Sequence, residues 1–154
     1  MVWSPCFSSP PPATLVAVAF TGEEIGLVGS RFFVAHPPIP LEEIRGVFNL
    51  DMVSRGEPNL VFCEGGPSAP ELRAAVERAN DRVGLDIRFD AHPEWLHASD
   101  HGPFLDVGVP ALYLGVEDHA DYHRVTDHAD RILPELAARV ARLAFLAALD
   151  LASS

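Results

Sequence analysis

Two adjacent carboxylates, Glu23 and Glu24, follow directly on an apolar run, Thr14-Leu15-Val16-Ala17-Val18-Ala19-Phe20. Neighbouring carboxylates repel unless a cation or a proton lies between them. Consecutive side chains can also diverge, one reaching a metal ion and the other a water bound to that ion. Taken alone, the pair also fits a solvated turn at a helix N-terminus, where the helix dipole favours acids. Asp51 raises the same question from inside an apolar stretch, Gly46-Val47-Phe48-Asn49-Leu50-Asp51-Met52. A carboxylate in such surroundings is costly unless it is paired, hydrogen-bonded or bound to metal, so a neighbouring backbone group, Arg55 or a cation must satisfy it. Six of the seven histidines fall in two irregular stretches, His92 to His101 and His119 to His128. In the second, Tyr122-His123 leaves an apolar strand beside other acid-bearing strand ends, which makes His123 a ligand candidate, while His119 and His128 read as solvent residues.

These side chains need elements to bring them together. The run 14–20 is continuously apolar and short, the pattern of a strand buried on both faces. Glu23 and Glu24 then lie just past its carboxyl end, the edge of an open α/β sheet where ligands bind. A helix is expected over 25–35, with Leu27, Ser30, Phe33 and Val34 on one face and Gly26 and Gly29 allowing close approach to the sheet. His36-Pro37-Pro38 stops it. Strands are expected next at 46–52 and 59–64, then a helix at 69–83 capped by Ser68 with Leu72, Val76 and Ala79 inward. A short strand is expected at 86–89. The stretch 91–101 suits a pocket wall, and Ser99 or Asp100 could cap the turn that starts near Pro103. A buried strand at 109–114 feeds the histidine-rich loop, and one helix, 133–152, closes the chain with Pro134 in its first turn.

Composition narrows the classes of function. The chain has 154 residues, enough for one domain with a sizeable core, and is 48% hydrophobic and 21% charged. Its net charge is −11, and all 11 basic residues are arginine, a balance opposed to nucleic-acid binding. Cys6 and Cys63 are too few for a disulfide framework or a cysteine-rich zinc site. Residues 1–12 read as a flexible proline-rich arm, with no secretory signal, and no run is long enough to cross a membrane. The compartment stays open.

Four stretches in this order resemble metallopeptidase family 28, the co-catalytic zinc aminopeptidases: Thr21-Gly22-Glu23-Glu24, Asn49-Leu50-Asp51-Met52, Ser99-Asp100-His101-Gly102-Pro103-Phe104, and Asp121-Tyr122-His123-Arg124-Val125-Thr126-Asp127. The resemblance implies an α/β three-layer sandwich, its central mostly parallel or mixed sheet flanked by helices. It implies an exopeptidase acting on the N-terminal residues of peptides, with two zinc ions. On matching positions Glu23 would be the general base, Glu24 and His123 ligands of one zinc, Asp51 a ligand of the other, and Tyr122 the group that steadies the oxyanion. Asp100 and His101 would orient ligands from behind, and His97 would line the pocket. Family members also supply a histidine and a bridging aspartate from upstream of the Glu-Glu stretch. Residues 1–22 contain neither a histidine nor an acid, so the expectation is an N-terminally truncated domain, 13–152, with impaired zinc binding and a surface prone to self-association. Relatives of this family are often exported. Two alternatives share the resemblance: a single-zinc enzyme like the glutaminyl cyclases, and a truncated domain without catalysis.

Overall fold

The protein is represented by a computed structural model that describes residues 12–153. The expected arm at 1–12 lies outside the described residues except for Pro12, an exposed bend. Four strands, β1 (Val47–Leu50), β2 (Leu60–Glu64), β3 (Asp86–Phe89) and β4 (Ala111–Gly115), form one mixed sheet in the order β1-β4-β2-β3. β1 runs parallel to β4, β2 antiparallel to β4, and β3 parallel to β2. The helices are α1 (Val28–Ala35), α2 (Pro70–Asn80), α3 (Gly102–Asp106) and α4 (Pro134–Ser153).

Strand alternation divides these helices into two layers. Leu112 and Leu114 of β4 bury against the inward faces of α2 and α4, where Leu72, Val76, Leu136, Val140 and Leu143 are fully or almost fully buried. Ala111 faces the other way, into a smaller cluster with Phe104, Val109, Phe33 and Val47. The result is the expected three-layer α/β arrangement. Among the described residues no helix is long and apolar enough to cross a membrane.

Local expectations needed three corrections. The run 14–20 is irregular and pairs with no strand among the described residues, and Leu15, Val16 and Val18 are 37%, 61% and 46% exposed. An apolar run reports a wish for burial, but a strand also needs a neighbour to take its backbone hydrogen bonds. Only the end of the run is anchored, by Phe20 against Phe33 and Phe104 at ring separations of 5.7 and 6.1 Å. The glycines of 25–35 act differently from expectation: Gly26 supplies a turn at φ 109°, and Gly29 lies so close to the Thr21 backbone that no side chain would fit. α1 accordingly begins at Val28, after a turn in which the amides of Gly26 and Leu27 donate to the Glu23 carbonyl. Finally, α2 carries no side-chain cap, because a short 3₁₀ turn, Gly66–Ser68, precedes it and Ala69 occupies the cap position.

Candidate active site

Parallel strands β1 and β4 end at the same rim. Asp51 comes directly after β1, and the irregular stretch 116–128 comes after β4. The turn that carries Glu23 and Glu24 meets them there. His123 Nε2 lies 2.9 Å from Glu24 Oε2, although the two residues are 99 positions apart in sequence, and both side chains are more than half exposed. The Tyr122 and His123 rings stack at 3.8 Å. His123 holds φ 54°, a left-handed conformation unusual for a residue with a side chain, so its surroundings must hold it there.

Asp51 is satisfied by neither Arg55 nor a neighbouring backbone group. Ser99 Oγ donates to Asp51 Oδ2 at 2.8 Å and accepts from Asn49 Nδ2 at 2.9 Å. Asp100 is not a helix cap either. It accepts a hydrogen bond from the fully buried Ser30 Oγ at 2.5 Å, while His101 takes the position before α3 with no capping side-chain bond. By sequence alone, Ser30 reads as part of a helical stripe and Ser99 as a cap. The signal for their role is their polarity beside apolar neighbours, which the helical and capping readings absorb.

Electrostatics places the acids within reach of one another. Partial burial raises the Glu23 carboxyl above its ordinary range, and Asp51, Glu24 and Asp100 raise it further, with His123 opposing them. Tyr122 is raised by burial and by Asp118, Glu24, Asp51 and Glu23. Burial, then Asp51 and Tyr122, likewise raise Tyr113, a residue of β4 whose sequence context marks it only as strand core. His101 is fully buried beside Tyr113, with ring centroids 5.3 Å apart. Neither of its ring nitrogens makes a well-formed hydrogen bond, although backbone groups of Trp95 and Leu96 approach it. Burial pushes its pKa down to about 4. His97 is more than half exposed and faces Asp106 at 3.4 Å.

The loops are tied from the side. Arg55 pairs through Nη2 with Asp121 at 2.7 Å and through Nη1 with Asp127, and Arg131 reaches Asp121 at 2.7 Å. Hydrogen bonds from Arg55 and Thr126, then Arg131, hold the Asp121 carboxyl well below the usual carboxylate range. His119 is not a solvent residue: its side chain is 12% exposed, and Nδ1 accepts from the Asp121 amide at 3.3 Å.

Among the described residues no three of His, Cys, Asp and Glu gather closely enough to enclose a metal ion. The pair Glu24 and His123 nevertheless offers one oxygen and one nitrogen, donor types that suit zinc, short of the three protein donors a catalytic zinc ordinarily keeps. The negative field of Asp51, Glu24 and Asp100 at Glu23 is one that a cation would relieve.

The profile of peptidase family M28 matches residues 7–148. A probable zinc metalloprotease of Pyricularia oryzae is 28% identical over 193 aligned positions, covering 94% of this chain and 38% of the relative. Leupeptin-inactivating enzyme 1 of Streptomyces exfoliatus is also 28% identical, over 71% of this chain and 24% of its own. Among solved structures, a zinc aminopeptidase from Bacillus subtilis superposes with TM-score 0.73 at 24% identity, covering 86% of this chain and 34% of that one. An aminopeptidase from an Aneurinibacillus species superposes with TM-score 0.69 at 25% identity, covering 84% and 31%. The chain therefore spans between 24% and 38% of the length of these proteins.

Proposed function

The chain belongs to peptidase family M28, and from that premise we propose that residues 13–152 are part of the catalytic domain of a zinc-dependent aminopeptidase that removes N-terminal residues from peptides. The observation that carries this reading is the 2.9 Å approach of His123 to Glu24, the two positions to which the motif resemblance gives one shared zinc. Glu24 and His123 would hold one zinc and Asp51 would contribute to a second. When bound, zinc lowers the pKa of its water to about 7 and polarises the carbonyl to be attacked.

The chain's own side chains have distinct tasks. Glu23, with its raised affinity for protons, accepts a proton from the attacking water and returns one to the leaving amine. Tyr122 donates its hydroxyl hydrogen to the oxyanion as charge develops there. Ser99 and Asn49 hold the Asp51 carboxylate in one orientation, as hydrogen-bond partners behind ligands do. Asp100 does the same for the segment that follows the two glutamates, by accepting the one hydroxyl hydrogen of Ser30 at 2.5 Å. The outer edge of β1, unpaired among the described residues, and the exposed Val16, Val18 and Phe32 also support self-association.

Zinc titration by calorimetry, with hydrolysis of aminoacyl anilides and cyclisation of N-terminal glutamine peptides assayed in parallel, tests the reading. We expect Glu23→Gln to leave zinc affinity within about threefold while lowering any anilide turnover by about 10²–10⁴-fold, the range of a lost general base. Unchanged turnover in Glu23→Gln removes the general-base assignment. Zinc affinity that is the same in His123→Ala and wild type removes the metal assignment, and cyclisation without anilide hydrolysis moves the reaction to the cyclase class.

A further inference from the structure

We propose that Arg55 is a positioning residue, which buckles the loop leaving β1 to the loop leaving β4 and so keeps His123 opposite Glu24. The proposal rests on the reading of His123 and Glu24 as a zinc pair. Neither loop has regular structure to hold it. One begins with Asp51 and continues through Arg55, and the other carries Tyr122 and His123. Arg55 spans the gap with a single guanidinium, one nitrogen on Asp121 at 2.7 Å and the other on Asp127. Those two aspartates bracket Tyr122-His123 on either side, so the turn between them is gripped at both ends.

Three observations separate this from an ordinary surface ion pair. The Arg55 side chain is 14% exposed and Asp121 10%, so solvent screens that arm far less than at the surface, while the second arm ends on Asp127, which is 43% exposed and more screened. The planar fork of arginine can serve two carboxylates at fixed angles, which the point charge of a lysine cannot. The turn it grips includes His123 at φ 54°, a conformation that a released loop has every reason to abandon. A backbone tie runs alongside, the Leu133 amide donating to the Ser54 carbonyl at 2.6 Å, but it lies beyond the turn. Arg131 also reaches Asp121, yet its side chain is 51% exposed and it belongs to the same side of the gap.

The test compares wild type with Arg55→Ala, Arg55→Lys, Asp127→Asn and Arg131→Ala. Backbone hydrogen exchange is followed in the zinc-free proteins, and zinc affinity is measured by calorimetry. Melting temperature and far-ultraviolet dichroism identify any variant that fails to fold, in which case Arg55→Lys and Asp127→Asn decide. We expect Arg55→Ala to speed exchange of the 119–127 amides by about tenfold or more while α2 and α4 are unchanged, and to weaken zinc binding by about 10-fold, the low end for loss of an orienting partner. Arg55→Lys and Asp127→Asn should fall between, and Arg131→Ala should stay near wild type. Unchanged exchange in Arg55→Ala overturns the proposal, as does full rescue by lysine or an equal effect from Arg131→Ala. Faster exchange with unaltered zinc affinity overturns the positioning role. Wild type that binds no zinc overturns the metal reading of the pair, and exchange alone then decides whether Arg55 grips the turn.

Discussion

Buried imidazoles are informative because they must choose a protonation state. His101 has no exposed surface, no well-formed hydrogen bond, and a pKa of about 4 against an ordinary 6.5. A histidine held neutral in the fold contributes stability above pH 6.5 that is lost as pH falls toward about 4, because only the unfolded chain can take the proton over that window. The slope from this group is at most about 1.4 kcal/mol per pH unit. Urea denaturation at pH 7, 5.5 and 4.5 should show His101→Leu losing less stability than wild type on acidification. Equal acid sensitivity in the two proteins would mean that the ring is protonated in the fold. The same scale explains which site residues are legible in the sequence. Glu23, Glu24, Asp51 and His123 stand out because acids and imidazoles are conspicuous against apolar runs. Ser99 and Ser30 do not, because a serine is compatible with a cap, a helix or a hydrogen bond to a group 48 or 70 positions away.

Secondary-structure elements matter here chiefly for where they end. β1 and β4 are parallel, so the loops leaving their carboxyl ends emerge at one rim. β4 also needs a glycine at its last position. Residues 113 and 115 share a face of the strand, and a side chain at 115 would run into the ring and hydroxyl of Tyr113, which is 5% exposed. Gly115 thus leaves room for Tyr113 to lie along the strand toward Asp51 and Tyr122. Gly115→Ala should destabilise the protein by about 1–3 kcal/mol, the cost of overpacking a filled site. The measurement is a lower urea midpoint at an unchanged m-value, which reports stability rather than a changed unfolded state. Helices α2 and α4 are legible from their apolar period, and their observed limits, Pro70–Asn80 and Pro134–Ser153, differ from expectation mainly at the ends. The expected strand at 14–20 fails at this scale, since a ladder needs two participants and periodicity describes one.

At the scale of the whole molecule, charge and apolar surface oppose each other. Twenty-two acids against 11 arginines give a net charge of −11, which keeps copies apart through mutual repulsion. Yet Val16, Ile25, Val28 and Phe32 are between 48% and 79% exposed, and the outer edge of β1 is unpaired among the described residues. Sedimentation velocity should therefore find association that grows with protein concentration. It should strengthen from 0.15 M to 1 M salt, as the screening length contracts from about 8 to about 3 Å, and weaken in Phe32→Glu. A concentration-independent monomer in both salts would show that this surface does not drive association.

The amino-acid order by itself determined the chemistry on offer and the class of fold. Residue types are read directly, and the periods of strands and helices arise from local geometry. The motif resemblance already implied that His123 meets Glu24, whereas tertiary structure alone decided that Ser99 meets Asp51 and Arg55 meets Asp121 and Asp127. Each of these last contacts closes a loop of 48 or more residues, and nothing local to either partner carries information about the other, so only the packing of the sheet and its helices could choose among them.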